Sequence, residues 1–512
     1  MIGRREKWVG RSGVIVCVLM FGLGAIRDAS AVPRLMIYRD KPINERWQGI
    51  GFQVRSHLDS RTEREMNEIF VKRWRELDPV FAWVAHKDGW DWDEVVPYLK
   101  RVVTRSSTCV AHVGALDPKK TPAIGFARRF ADDLERLVRK EGIENIRFCS
   151  IAGRRSGMPA AGGSPDPSFL SSCYESLAGE LRKRKLDIGI VGHAGDIDPS
   201  KGKQAAPAQV KNAPAISVSC NLMSAPDKLD SYASMTSSVP AIVKAAGGGQ
   251  AYLTGVGSGH FETEQEAMTG LQLAELAIAA INSGAAGVIY TSLTDLWHKD
   301  TKEPRAPYYA LGILARHLCG PGTAYLVATP PSIRMAAVNH GSKGWTLVVV
   351  NRRKENVSIQ FGYTLGSWPG GDIRKYVYRA TRTPKRVCAD LQLCEDTVIP
   401  NRTKHSGIPQ HLEPLSLNVF RYTHDTEPPE RIRHLDITDS EETGKRIDWE
   451  PVVDKDLCYY RVYRMNMPRF KFAKKTQIGS TTATHYVDDS PPAGRWYYHV
   501  VPVDQHGNVH FR

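Results

Sequence analysis

Three acidic residues, Asp196, Glu262 and Asp295, stand in segments that directly follow runs of strand-forming residues. Two carboxyl groups held close together can share general acid, general base or nucleophilic roles in a reaction. His193 and His260 stand in two of the same segments and could bind a substrate hydroxyl group. Loop carboxylates also serve as solvated charges or helix caps, so the sequence selects no particular catalytic pair among the three.

Tryptophans lie near the same strand ends, at Trp83, Trp90 and Trp297. Sugar rings present apolar C–H faces that pack on aromatic side chains, so these residues could form carbohydrate-binding subsites. Packing in the protein core explains Trp83 equally well, and its role stays open at this point. Such subsites would take a polysaccharide or other glycan as ligand.

The elements that must position these residues follow a regular pattern between about residues 47 and 320. Short apolar strands alternate with amphipathic helices, which is typical of a parallel α/β fold. Eight such units predict a closed (β/α)₈ TIM barrel, which gathers the carboxyl ends of its strands on one face. A six-stranded Rossmann-like sheet is the alternative, weakened because no G-x-G-x-x-G follows a strand. The eight predicted strands are Gly49–Arg55, Pro79–Val84, Thr108–Val113, Ile146–Ala152, Leu186–Gly192, Ala215–Asn221, Ala251–Val256 and Gly287–Ser292.

Two of these strands carry a resemblance to clan-A glycoside hydrolases. The seventh, AYLTGVGSG from residue 251, resembles the family's strand in which a threonine precedes the nucleophilic glutamate. The fourth, IRFCSIAGRR from residue 146, resembles the strand that ends in Asn-Glu-Pro, where the glutamate is the acid/base catalyst. The resemblance covers about residues 33–423 and implies a glycosidase-like barrel with a β-sandwich beside it.

Both catalytic glutamates that the resemblance implies are replaced in this chain. Gly255 stands at the nucleophile position, and Arg154 at the acid/base position, or Gly153 if the register slips by one. Retaining hydrolysis needs two carboxyl groups about 5 Å apart on either side of the scissile bond. Glycine offers no nucleophile, and an arginine stays protonated and cannot exchange a proton. The sequence therefore predicts that ordinary retaining hydrolysis is lost.

Outside the barrel, the sequence predicts two all-β units and a leader. Closely spaced strands predict a β-sandwich over residues 323–424, so the barrel takes residues 32–322. After the stiff linker TEPP at residue 426, residues 425–512 resemble a fibronectin type III domain, which suggests contact with a cell surface or cell wall. Residues 1–31 read as a signal peptide, because basic residues precede a short apolar run and an A-x-A site.

The net charge of +14 is spread over the whole chain. It falls only to about +11 without residues 1–31, and no arginine-aromatic platform or known motif accompanies it. This favours a surface suited to anionic glycans over a nucleic-acid interface. The cysteine and histidine spacing indicates no metal site, and no motif indicates a cofactor.

These observations predict a secreted or cell-surface glycosidase-like protein that binds carbohydrate without ordinary hydrolysis. One alternative is an active glycoside hydrolase that uses Asp196, Glu262 or Asp295 as non-standard catalytic carboxylates. A further alternative is a structural surface or adhesion protein that uses the barrel as a scaffold.

Overall fold

The structure is a computed structural model, and it describes only part of the chain. The described residues are 32–54, 61–86, 88–103, 106–112, 119–151, 167–197, 215–221, 249–257, 266–290, 296–298, 303–364, 373–381, 395–399, 409–422, 427–439, 444–454, 457–468, 476–489, 491–504 and 509–510, with the single residues 240 and 301. The predicted signal peptide lies outside them.

Eight parallel strands close into a barrel in the order of the chain, so the predicted TIM barrel is confirmed. Each predicted strand is present; Ala215–Asn221 has its predicted ends, and the other strands differ from their predicted ends by one to five residues. The sixth strand of the chain extends five residues past its predicted end at Gly192. The barrel strands are β2 (Gly49–Val54), β3 (Phe81–His86), β4 (Ser107–His112), β5 (Ile146–Ile151), β6 (Gly189–Ile197), β7 (Ala215–Asn221), β8 (Gln250–Gly257) and β9 (Gly287–Tyr290).

Helices surround the barrel wall and bury their apolar faces against it. Asp91 caps the second helix, since its side chain accepts hydrogen bonds from the backbone N–H groups of Asp93 and Glu94. The third helix ends in a π-helical turn over Arg136–Lys140. The helices are α1 (Arg61–Leu77), α2 (Trp92–Val102), α3 (Ala123–Glu135), α4 (Pro167–Lys183), α5 (Glu266–Asn282) and α6 (Ala306–His317). No described helix is long and apolar enough to cross a membrane.

The barrel interior is filled by alternating aromatic residues and glycines. Phe81 and Tyr252 point inward from two strands in one buried cluster, and the partly buried Phe148 packs against it from a third strand. A Cβ atom on Gly51 would lie 2.4 Å from the Cβ atom of Phe81, and one on Gly287 would lie 3.0 Å from the Phe81 ring. Because large and small residues interlock in this way, the amino-terminal half of the barrel is a packed core.

A nine-stranded sheet curls beside the barrel, which confirms the predicted β-sandwich architecture. Alternate residues of the strand Trp345–Asn351 face opposite ways: Leu347 and Val349 face the sheet's own core, whereas Val348 and Val350 join the core shared with the barrel. In spatial order its strands are β15 (Glu395–Ile399), β14 (Ile373–Arg379), β17 (Ser416–Tyr422), β12 (Trp345–Asn351), β11 (Ile333–Asn339), β10 (Gly322–Ala328), β1 (Arg34–Trp47), β13 (Val357–Tyr363) and β16 (Pro409–Leu412).

Strand β1 precedes the barrel in sequence but pairs within this sheet. It is antiparallel to β10 and parallel to β13. At its end Trp47 is 1% exposed and donates a hydrogen bond from Nε1 to the Leu318 carbonyl at 3.0 Å, just after α6. The first strand therefore connects the large sheet to the end of the last barrel helix.

The contact between α5 and the sheet leaves no room at Gly270. A Cβ atom there would lie 2.6 Å from the hydroxyl of Tyr378, which is fully buried and donates to the Ala267 carbonyl at 2.7 Å. We expect Gly270→Ala to lower the free energy of unfolding by about 1–3 kcal/mol, because the ring cannot move without breaking this packing. Gly179→Ala on α4 is the matched control, since its Cβ would meet nothing within 4 Å. Denaturant unfolding should show this control stabilised by about 0.5–1 kcal/mol, and equal effects would contradict the close contact.

The C-terminal unit contains two small antiparallel sheets. Strands β18 (Leu435–Asp439), β19 (Lys445–Trp449) and β22 (His485–Asp488) form one, and β21 (Gln477–Thr481), β20 (Leu457–Met465) and β23 (Tyr497–Asp504) form the other. Trp449 and Tyr460 lie in the buried cluster between them, with ring centroids 5.2 Å apart. The unit is all-β as predicted, and its fibronectin type III identity stays a prediction.

Candidate functional site

The carboxyl ends of the barrel strands form the face where a barrel of this type places its chemistry. Strand alternation identifies the residues that point inward there, because every second residue shares a face. Among the strand residues whose side chains are described, the inward positions nearest this end are Gln53, Ala85, Ala111, Ser150, Ser217 and Thr254. None of these six is a carboxylate, so this part of the wall supplies no acid/base pair.

The two serines on this wall are held by hydrogen bonds to the neighbouring strand. Ser150 is fully buried and donates from Oγ to the Val191 carbonyl at 2.8 Å. Ser217 is 2% exposed, and its Oγ donates to the Gly192 carbonyl at 3.4 Å. With no base bonded to either hydroxyl in the described residues, neither shows the arrangement of an activated nucleophile.

Gly255 lies in a β-bulge on the seventh barrel strand. The pairing of β8 with β9 shifts register between Leu253 and Val256, and Gly255 itself has φ of +70°. This is the left-handed region, which glycine adopts freely and which costs other residues about 1–2 kcal/mol. The position at which the resemblance places the nucleophile therefore has a backbone that disfavours a glutamate.

We accordingly expect that Gly255→Glu does not create hydrolysis and lowers the free energy of unfolding by about 1–2 kcal/mol. Gly255→Asn should be tolerated better, because asparagine adopts the left-handed region more readily than most residues. Denaturant unfolding and release of nitrophenol from aryl glycosides measure the two effects. A Gly255→Glu variant that is both stable and hydrolytic would contradict the bulge as an obstacle to catalysis.

The three tryptophans predicted as sugar platforms are buried in the structure. Trp83 is 7% exposed and points into the packed barrel interior. Trp90 is 5% exposed and packs edge-on against His86 and Trp92, at 4.6 Å and 5.7 Å between ring centroids. Trp297 is 1% exposed and contacts Phe70 edge-to-face at 6.1 Å. Each ring contacts protein, so the subsite role stays a prediction and core packing describes what is seen.

Of the other candidate site residues, two lie on a described strand and four lie outside the described residues. Asp196 and His193 lie near the carboxyl end of β6, on either side of a register shift in its pairing with β7. Arg154, His260, Glu262 and Asp295 lie outside the described residues. The backbone of the first two therefore lies at the predicted face of the barrel. Within the described ranges, no group of three or more potential metal ligands occurs.

A titratable cluster that the sequence analysis did not single out lies at the ends of β3 and β4. Both strands end in Val-Ala-His, and the pairing sets His86 beside His112. Both rings are 1% exposed, their Nδ1 atoms are 3.2 Å apart, and Nε2 of His86 lies 2.9 Å from Oδ2 of Asp133 on α3. The repeated tripeptide was the available signal, but only the strand register shows that the two rings meet.

A cysteine nucleophile on the fourth barrel strand has no support. Cys149 is fully buried and faces the core shared with the helices. Burial raises the pKa of its thiol to about 12, so the reactive thiolate is scarce at neutral pH.

Glycoside hydrolases of known structure are similar in fold to this chain. A GH30 endoxylanase from Clostridium papyrosolvens C71 aligns with 76% of this chain and 100% of its own, at 11% identity and a TM-score of 0.55. The chain has the fold of a clan-A glycoside hydrolase. A glucosidase from Croceicoccus marinus shows this clan-A fold too, at 10% identity and a TM-score of 0.52, covering 77% of this chain and 99% of its own.

The longest of these clan-A alignments includes more than the barrel and the large sheet. A bacterial orthologue of human α-L-iduronidase aligns with 93% of this chain and 98% of its own, at 12% identity and a TM-score of 0.56. Such coverage extends into the C-terminal unit. No protein-family model matches the sequence, and no curated protein matches it.

Proposed function

We propose that this chain is a secreted carbohydrate-binding protein whose clan-A barrel has lost ordinary retaining hydrolysis. The observation that carries the proposal is the left-handed bulge at Gly255, the residue that the sequence resemblance aligns with the nucleophilic glutamate. A second observation supports it, because the inward-facing strand residues whose side chains are described include no carboxylate at the carboxyl ends of the strands. Without two carboxyl groups across the scissile bond, the double-displacement reaction has no route.

The ligand class follows from the fold and the charge. The structural relatives are named as a xylanase, a glucosidase and an iduronidase, which act on sugars or sugar polymers. The net charge of +14 favours a glycan that carries negative charge over a neutral one. We infer an anionic polysaccharide, such as one rich in uronic acids, as the first ligand to test, with a cell-surface contact through the C-terminal unit and no nucleic acid partner.

The test is a binding screen of the full chain on an array of neutral and uronate-containing glycans, with a hydrolysis assay on each glycan that binds. Binding without turnover is the expected result, and it should weaken with salt if charge contributes. Competition by a DNA duplex of equal charge would instead indicate a general anion preference. Absence of binding to every glycan would overturn the proposal and favour the structural surface protein.

An active hydrolase with non-standard carboxylates is the second candidate, since Asp196 lies at the correct end of the barrel. Turnover abolished by Asp196→Asn, Glu262→Gln or Asp295→Asn would establish it. Asp436→Asn is the matched control, because this exposed aspartate lies on β18 of the C-terminal unit. Removal of a catalytic carboxylate should lower kcat by orders of magnitude and leave the control unchanged.

A further inference from the structure

The contact between His86 and His112 can hold only one proton between its two facing nitrogen atoms. In the neutral arrangement, His86 donates from Nε2 to Asp133, so its Nδ1 carries a lone pair and accepts from Nδ1–H of His112. One added proton still leaves a single N–H between the rings. A second added proton puts an N–H on both Nδ1 atoms, 3.2 Å apart, with no acceptor between them.

The surroundings of the pair are mostly apolar rings. Phe130 packs on both histidines, with centroids 5.0 Å from His86 and 5.7 Å from His112, and Phe126 lies 4.9 Å from His112. Trp90 covers the other side of His86. In such an environment a second positive charge is poorly solvated, so double protonation must open the contact rather than be absorbed by it.

The charged groups that face the pair act in both directions. Burial and then His86 lower the pKa of His112 to about 4; Asp88 and Asp133 oppose this decrease, and Arg129 adds to it. The unfolded chain takes up this proton near pH 6.5. Because the folded chain takes it up only near pH 4, the folded state loses stability as the pH falls through that window.

The segment that depends on the pair is the turn between β3 and α2. Trp90 packs on His86, and Asp91 caps α2 directly after it. On the other side, Asp133 joins His86 to α3. Breaking the histidine contact would therefore move the two rings apart and loosen residues 88–91, which pack on His86 through Trp90, while His86 keeps its hydrogen bond to Asp133.

We propose that His86, His112 and Asp133 form an acid-sensitive latch, which fixes residues 88–91 at neutral pH and releases them when both rings are protonated. The latch lies between the barrel and α3, at the carboxyl ends of β3 and β4. It is independent of glycan binding and holds whether or not the barrel binds a sugar.

Nuclear magnetic resonance of the full chain with ¹⁵N-labelled histidine rings tests the proton arrangement. At pH 7 His86 should be the Nε2–H tautomer and His112 the Nδ1–H tautomer, and the second titration of the pair should fall at least one pH unit below 6.5. Hydrogen exchange should show a loss of protection at residues 88–91 in the same pH range while strand β12 stays protected. Two independent titrations near pH 6.5, or constant protection down to pH 4, would overturn the latch.

Two variants separate the latch from general acid unfolding. His112→Phe removes the titrating ring and keeps an aromatic beside Phe126 and Phe130, so the acid-induced opening should disappear. Asp133→Asn keeps an oxygen acceptor at a side chain that is 30% exposed, and loss of its charge should move the opening midpoint down by about 1 pH unit. His485→Gln changes an exposed histidine on β22 and should leave the midpoint unchanged. If Asp133→Asn opens at the wild-type pH, the latch is wrong even if His112→Phe fails to fold.

Discussion

Replacing Glu76 with alanine is expected to lower the free energy of unfolding by about 3–5 kcal/mol. Glu76 is 1% exposed at the end of α1, and its Oε2 accepts from Arg73 at 2.9 Å and from the hydroxyl of Tyr308 on α6 at 2.5 Å. Its backbone carbonyl also accepts from Arg316. The carboxylate therefore joins the first and last barrel helices, and its removal leaves the buried Arg73 charge without this counter-ion.

The chain provides a matched control for this prediction. Glu430 pairs with Arg433 at the same spacing of three residues and a distance of 3.1 Å, but the two side chains are 66% and 73% exposed. Glu430→Ala should change the free energy of unfolding by less than about 1 kcal/mol, because water solvates both charges. Glu76→Gln should lie between the two, since an amide can still accept a hydrogen bond. Denaturant unfolding compares all three, and equal losses at positions 76 and 430 would contradict the role of burial.

Trp297→Ala is expected to lower the free energy of unfolding by about 3–5 kcal/mol, as removal of a buried tryptophan ring leaves a large cavity. The residue is 1% exposed in the main apolar cluster, and its Nε1 has no hydrogen-bond partner among the described residues. Trp297→Phe should be much milder, because it keeps an aromatic ring and removes a buried N–H that makes no bond.

The same variants distinguish packing from ligand binding at Trp297. If Trp297 is a core residue, Trp297→Ala should lower the free energy of unfolding and leave the affinity of the folded protein for any glycan identified on the array unchanged. If Trp297 is a sugar platform, Trp297→Ala should weaken glycan binding and leave the free energy of unfolding unchanged. Titration of the glycan into Trp297→Ala below its melting temperature, beside its unfolding curve, measures both quantities.

The barrel could be predicted from the sequence because its signals are local. Each strand is a short apolar run, and helices such as α2 begin at a recognisable cap, Asp91. The strand ends are not specified as locally, since the His193–Asp196 stretch has loop-like composition yet continues β6 through an irregular pairing. The position of β1 could not be predicted, because its partners β10 and β13 are distant in sequence and nothing local specifies them.

The candidate site could be predicted in residue type but not in conformation. The absence of a glutamate at Gly255 is visible in the sequence, whereas its positive φ and the surrounding bulge arise from register differences between β7, β8 and β9. The tryptophans were predicted as ligand platforms because an aromatic at a strand end has the same sequence signature in a core and in a subsite. His86 and His112 were missed because their meeting requires in-register pairing of two strands.

The pairing of β1 with distant strands delays its folding until most of the chain has been synthesised. A ribosome delivers the chain from its amino terminus, so residues 34–47 emerge long before residues 322–328 and 357–363, with which they pair. Until then Leu35 and Ile37, which end fully buried, stand on a strand with open edges. The same strand carries three basic residues, Arg34, Arg39 and Lys41. Before β1 pairs, these charges oppose aggregation, because like charges keep the unpaired strands of neighbouring chains apart.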